Sequence, residues 1–261
     1  NWEMEYTEMM TENGFKVGKT SPCAFYNEEK NIRAVVHGDD FTVLASEKDM
    51  DWIIKKIAKR MEIKVKGRLR RGESGSVRIL NRVVTSESEG LVYEADQRHA
   101  QIIMREMGLE EKSKGVSTPG VSSAGDQCGG EYVGTESNYR AVAARANYLA
   151  QDRMDMQFAA KEVSRFMSNP NGEDWRAAKR LARYLKESER VVIKYKFQEM
   201  PTKLVMWSDS DWAGCRRTRR STSGGVAMLG GHCVKTYSNT QDFIALSSGE
   251  AEYYAIARQR Q

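Results

Sequence analysis

The sequence predicts an α+β protein in two parts, and three observations carry that prediction. Two short apolar runs, Ala34-Val35-Val36 and Phe41-Thr42-Val43-Leu44, flank His37-Gly38-Asp39-Asp40 and read as strand, turn and strand. A run from about Gly115 to Glu136, rich in Gly, Ser, Thr and Pro and poor in large apolar residues, reads as a connecting loop and the best boundary in the chain. Beyond Val191 the apolar spacing changes from helical to alternate, so strands follow helices.

The elements follow in order. After the hairpin, Ser46 is a candidate N-cap with Asp49 three residues on. Met50, Ile53, Ile54, Ile57 and Met61 then share one helical face. Glu62 to Ala95 alternates and carries turn signals at Arg71–Gly75 and Glu87–Gly90, which predicts antiparallel strands, and Gln97 to Met107 reads as a short helix. Helices are predicted around Tyr139, Val142, Ala146 and Leu149, and around Ala159, Val163, Phe166 and Met167 up to Asn169-Pro170. A third holds Trp175, Ala178, Leu181, Ala182 and Leu185. Val191 to Phe197, Leu204 to Ser208, Gly225 to Leu229 and Val234 to Ser238 read as strands of a second β domain, closed by a helix over Ser247 to Ala257.

With 261 residues, 30% charged and 40% hydrophobic, the chain has an ordinary globular composition, which excludes collagen-like and low-complexity classes. Its 41 Lys and Arg against 36 Asp and Glu leave a net charge of +5, compatible with a polyanionic partner without requiring one. Cys23, Cys128, Cys215 and Cys233 form no C-x-x-C pair, so neither a zinc ribbon nor a disulfide framework is suggested. Cys215 with His232-Cys233 lacks zinc-site spacing. No apolar run spans a bilayer and the N-terminus has no signal-peptide pattern, so no membrane partner is expected and the chain reads as intracellular. Beginning without Met and stopping at Gln261 inside a helical pattern, it reads as a piece of something longer.

Two sets of acidic residues are candidates for chemistry. Asp39-Asp40 at a tight turn can offer adjacent carboxylates to a divalent cation, as two-metal phosphoryl transfer requires, while Gly-Asp-Asp is equally good turn chemistry. Asp209 and Asp211 sit on a strand, and Glu250 and Glu252 sit near a helix start, where carboxylates are also favoured by the macrodipole. Two basic clusters, Lys64, Lys66, Arg68 with Arg70 and Arg71, and Arg216, Arg217, Arg219 and Arg220, are candidates for phosphate contact or simply solvated faces.

Taken in order, these segments resemble the reverse transcriptase and ribonuclease H region of copia-type retrotransposon polyproteins. The carriers are Ser208-Asp209-Ser210-Asp211-Trp212-Ala213-Gly214, Arg220-Ser221-Thr222-Ser223-Gly224 and Leu246-Ser247-Ser248-Gly249-Glu250-Ala251-Glu252-Tyr253. Ser117-Thr118-Pro119, Tyr148-Leu149-Ala150, Ser164–Pro170 and Arg183-Tyr184-Leu185-Lys186 are similar to the joining segment, and Asn13-Gly14-Phe15, Ser21-Pro22-Cys23 and Asp39-Asp40-Phe41 to the polymerase. The resemblance implies a partial polymerase palm over 1–115, a linker and helical connection over 116–190, and a partial ribonuclease H-like domain over 191–261.

It further implies that Asp39 and Asp40 are the paired aspartates of the polymerase site, and Asp209 and Glu250 the first acidic ligands of the ribonuclease H site, with Mg2+ at both. The implied partners are an RNA template, a DNA primer, RNA–DNA hybrid, deoxynucleoside triphosphates and the rest of the polyprotein, in a cytoplasmic particle or the nucleus. Each family site needs a further aspartate, one upstream of Asn1 and one downstream of Gln261, so the isolated chain is expected to have little activity. His37-Gly38 stands where the family has Tyr-Val, and Cys215 where it has Asp. These departures mildly favour the alternative, a non-catalytic nucleic-acid-binding relic.

Overall fold

The computed structural model describes residues 2–120 and 134–258. Most of the expected Gly115–Glu136 loop, and Cys128 with it, lies outside the described residues. The chain divides between Arg68 and Leu69 into two compact units, a division that falls inside the part expected over 1–115.

The first unit is an antiparallel sheet with two helices. Helix α1 (Trp2–Glu12) is followed by β1 (Lys16–Val17), β2 (Ala24–Asn27), β3 (Ile32–His37), β4 (Asp40–Leu44) and α2 (Glu47–Ala58), with the strands in sequential order. Strand β3 alternates without exception: Ile32, Ala34 and Val36 are buried while Arg33, Val35 and His37 face out. The buried set meets Tyr6, Met9 and Met10 of α1, Phe25 of β2, and Ile53 and Ile57 of α2 in one core. Each of these large side chains contributes roughly 1.5–3 kcal/mol by leaving water. Ser46 caps α2 as its sequence predicts, its Oγ accepting from Asp49 N at 3.3 Å.

Strand β3 turns into β4 through Gly38-Asp39, with His37 opposite Asp40. Gly38 has φ +61° and Asp39 is not left-handed, so positive φ falls only at the first central residue, where glycine is the residue of choice. The alternation expected to be strand over Glu62 to Leu69 is coil. Among the described residues no partner strand lies beside it. Ile63 packs on the core, Lys66 is tied to Asp40, and Arg68 is tied to Glu47 and Asp51, so the alternation reflects side-chain anchoring.

In the second unit β5 (Gly75–Ile79), β6 (Arg82–Glu87) and β7 (Gly90–Glu94) form a meander, and helices α3 (Arg98–Glu106), α4 (Glu136–Leu149), α5 (Gln157–Ser164) and α6 (Gly172–Glu187) follow. These helices share a core around Ile103, Tyr139, Leu149, Leu181 and Leu185. Fully buried Tyr139 satisfies its hydroxyl by donating to Val163 O at 2.7 Å, with its ring edge-on to Trp175. Asn171 and Asp174 close a reciprocal capping box at the start of α6.

Strand β8 (Val192–Lys196) corrects the sequence reading, which gave it to a second β domain. It instead pairs antiparallel with β7 as the fourth strand of that sheet. Leu91 lies opposite Tyr195 and Tyr93 opposite Ile193, aromatic–aliphatic cross-strand pairs that local periodicity could not assign to a neighbour. The remaining strands, β9 (Leu204–Asp211), β10 (Thr222–Leu229) and β11 (His232–Thr240), form a separate sheet in the order β11-β10-β9, followed by α7 (Ser248–Arg258).

Candidate functional site

The paired aspartates sit at the tip of the β3–β4 hairpin. Asp39 is exposed in the turn and Asp40, half-buried as the first residue of β4, forms a close ion pair with Lys66. That hydrogen bond raises the proton affinity of Lys66, with the charges of Asp40 and Asp39 adding to it. The lysine named as a phosphate contact therefore neutralises one of the two carboxylates. Arg68 is likewise held, by Glu47 at 3.0 Å and Asp51 at 2.7 Å, whereas Lys64 is exposed.

The second acidic set is divided between the two faces of the β9-β10-β11 sheet. Alternation along β9 places Asp209 and Asp211 on one face with their partners Gly224 and Thr222, and Ser208 and Ser210 on the other. Helix α5 crosses the first face, where Lys161 Nζ donates to Thr222 Oγ1 at 2.8 Å and Gln157 donates to Thr236 O. Helix α7 packs on the second, where Gln241 bridges Ser223 Oγ and Ala251 O. Gly225 is required there because a Cβ would meet the ring of Tyr237. Asp209 thus opens onto a groove of about 690 Å3 with Trp207, Gln157, Phe158 and Met154, away from α7.

Glu250 is occupied at the start of its own helix. Its N–H donates to Ser247 Oγ at 3.1 Å, and its carboxylate accepts from Leu246 N at 2.7 Å and Tyr254 Oη at 3.0 Å. The Glu250 bond raises the proton affinity of the Tyr254 phenolate. Glu252, which the sequence ranks behind Glu250, is the one that reaches β9, accepting from Ser210 N at 3.2 Å. Asp211 accepts a close bond from Thr222 N.

The arginines between β9 and β10 lie on a tight loop. Cys215 N donates to Arg220 O and Arg219 N to Cys215 O, with Ala213 at φ +53° and Arg219 at φ +57°. The buried Cys215 Sγ accepts from Thr218 N at 3.4 Å. Burial opposes ionisation of this thiol, but the bonds from Thr218 and the charge of Arg165 outweigh it and draw its proton affinity down. Sulfur thus performs the turn-stabilising acceptance that an aspartate could perform at this position. Arg217 pairs with Asp174 and lies over Phe166. Arg216, Arg219 and Arg220 are exposed and form no ion pair among the described residues.

Among the described residues no three His, Cys, Asp or Glu side chains are grouped to hold a metal ion. His232 is spent on Gln198 and Lys196 O. The residues assigned to magnesium do not fit it as they stand: Asp40 is paired with a cation, and Asp209 and Glu250 face apart. No described helix is long and apolar enough to cross a membrane.

No family model and no solved structure matches the chain. Secreted RxLR effector protein 161 of Plasmopara viticola is 39% identical over 121 residues, 46% of this chain and 84% of the effector. The retrovirus-related Pol polyprotein from transposon RE2 of Arabidopsis thaliana is 35% identical over 121 residues, and that from transposon TNT 1-94 of Nicotiana tabacum 24% identical over 267. The latter match takes in 97% of this chain. The chain belongs to the family that these proteins share, and is a region of retrotransposon Pol polyprotein type. It spans 8% of the RE2 polyprotein and 19% of the TNT 1-94 polyprotein.

Proposed function

We propose that the chain is a polymerase palm portion with its helical connection, leading into the first strands and helix of a ribonuclease H-like domain, in a copia-type Pol polyprotein. The whole polyprotein would copy an RNA template from a DNA primer with deoxynucleoside triphosphates and cut the RNA of the resulting hybrid. The observation that carries this reading is the β9-β10-β11-α7 order, with an aspartate on the first strand and glutamates in the first turns of the helix. The Asp39-Asp40 hairpin tip supports the polymerase half. Since no group of three carboxylates is assembled among the described residues, the chain by itself is expected to bind nucleic acid without turning it over.

Magnesium-dependent primer extension and hybrid cleavage by the 261-residue chain test this directly. Binding of an RNA–DNA hybrid at low salt with background turnover is expected. Robust turnover lost in Asp39→Asn or Asp209→Asn overturns the inactivity, and absence of any hybrid binding overturns the nucleic-acid reading. A second reading, a binding relic without chemistry, is favoured by the occupied Glu250 carboxylate. Activity of a longer polyprotein carrying this region separates the two.

A further inference from the structure

The β3–β4 turn that carries Asp39 has two shapes within reach. Its central peptide joins Gly38 to Asp39, and only Gly38 now has positive φ. Rotating that one peptide converts this turn into the other primed hairpin turn, in which both central residues have positive φ. Glycine permits either shape, and aspartate tolerates the left-handed region better than most residues. A Cβ built on Gly38 would meet nothing within 4 Å, so packing around that residue does not choose between them.

A single hydrogen bond does. Trp2 Nε1–H donates to Gly38 O at 2.6 Å, and Gly38 O is the carbonyl of the peptide that would have to rotate. The indole is itself aimed by its surroundings. Trp2 precedes Tyr6, Met9 and Met10 at helical spacing on α1, and those three are buried in the core of the first unit. Its ring is edge-on to Tyr6 at 5.9 Å and to Phe41 at 6.5 Å, and Phe41 directly follows Asp40. Arg60, just beyond α2, pairs with Glu5, Glu8 and Glu12 along another stripe of α1, which fixes the helix that presents Trp2. Lys66 acts on the same hairpin differently: it neutralises the Asp40 carboxylate, whereas the Trp2 bond is to backbone and takes up neither carboxylate.

We propose that Trp2 is a positioning residue, whose indole N–H locks the Gly38–Asp39 peptide and so sets the direction in which Asp39 offers its carboxylate. Its consequence for catalysis rests on the reading of Asp39 and Asp40 as the polymerase pair.

Nuclear magnetic resonance of the full chain tests the contact without nucleic acid. One of the five indole N–H resonances is expected to exchange slowly with water and to vanish in Trp2→Phe. The intraresidue amide–Hα NOE of Asp39, strong only at positive φ, is expected to be weak in the parent chain and to strengthen in Trp2→Phe. The Asp39 and Asp40 amides are expected to exchange roughly fivefold faster in that variant. Trp2→benzothienylalanine keeps the ring and replaces its N–H by sulfur, so it is expected to match Trp2→Phe. Met4→Ala, exposed on the same helix, is expected to leave these signals unchanged. In a longer polyprotein that carries this region, Trp2→Phe is expected to lower kcat for primer extension roughly tenfold, with KM for the nucleotide nearly constant and hybrid cleavage unaltered. A turn that is the same in Trp2→Phe, a benzothienyl variant that keeps the parent signals, or primer extension and hybrid cleavage falling together overturns the proposal. If the parent polyprotein extends no primer, the polymerase reading fails instead, and the turn signals alone decide whether Trp2 sets the Asp39 backbone.

Discussion

Glu252 Oε1 accepts from the backbone N–H of Ser210 at 3.2 Å, so the second glutamate of the Gly249-Glu250-Ala251-Glu252 segment, not the first, touches the strand that carries Asp209. Glu250 spends its carboxylate on Leu246 N and the Tyr254 hydroxyl. The two residues therefore separate a helix-starting role from a strand-docking role.

That separation predicts a stability effect at the start of α7. Ser247 Oγ accepts from Glu250 N at 3.1 Å, and Ala251 N donates to Ser247 O, which is N-cap geometry. Ser247→Ala is expected to lower unfolding stability by about 1 kcal/mol, and Ser247→Thr to retain most of it. Urea denaturation of the three proteins checks the ranking.

The Arg153–Asp155 pair predicts a loss that two substitutions together should avoid. Arg153 is 2% exposed and binds Asp155 bidentately at 2.9 and 2.7 Å, and Tyr184 donates to the same carboxylate at 2.6 Å. Asp155→Ala strands a buried guanidinium and is expected to destabilise by about 3 kcal/mol, whereas Arg153→Met with Asp155→Leu costs much less. Burial disfavours the Asp155 carboxylate, yet the bonds from Arg153 and Tyr184 outweigh it and hold its proton affinity below the usual range. The unfolded chain therefore binds the proton first. This stabilisation is complete above the unfolded value of about 3.9 and fades as pH falls through the lower folded one. Asp155→Asn should flatten the acid limb of the stability curve below about pH 4.

His99 predicts a pH dependence nearer neutrality. Its ring lies against that of Tyr148, centroids 4.5 Å apart and planes tilted by 39°, and its buried Nδ1 has no hydrogen-bond partner among the described residues. Burial lowers its proton affinity, Asp96 at 3.9 Å opposes this, and Arg145, Arg98 and Arg82 reinforce it. Protons again bind the unfolded state first, so stability is full above about pH 6.5 and declines as pH falls toward the folded value. The urea midpoint should drop as pH falls below the unfolded value of about 6.5, and His99→Phe should remove much of that slope.

What the sequence made legible follows from range. Helices α2, α4 and α6 repeat apolar residues at helical spacing and carry their own caps at Ser46, Thr135 and Asn171, so local chemistry suffices to find them. The Asp39-Asp40 tip is local too. Helix α1 is an element that the sequence reading does not name, although Tyr6, Met9 and Met10 recur at helical spacing. Alternation identifies β8 as a strand and fixes its face, but it cannot name a partner about 100 residues away. The acidic set shows the same limit: spacing places Asp209 on a strand and Glu250 on a helix, where the structure has them, but only the packing of α7 on the Ser210 face decides how the two lie relative to the sheet.

The basic residues give the sharpest test of the nucleic-acid reading, because the structure sorts them into held and free. Arg68 is tied to Glu47 and Asp51, Lys66 to Asp40 and Arg217 to Asp174, so each would have to break an ion pair to meet a phosphate. Lys64, Arg216, Arg219 and Arg220 are exposed with no ion pair among the described residues. A phosphate contact releases counterions, so removing one reduces the slope of log affinity against log salt by about 0.9 for duplex. Arg216→Ala, Arg219→Ala and Arg220→Ala are each expected to flatten that slope for an RNA–DNA hybrid, with similar loss for every sequence tested. Arg219→Gly tests the same contact without strain at the left-handed φ of +57°. Arg68→Ala should leave the slope unchanged and lower stability by roughly 0.5–1 kcal/mol. If instead Arg68→Ala flattens the slope and the loop arginines do not, the phosphate path runs along the Lys64–Arg68 segment and the β9–β10 loop is a solvated surface.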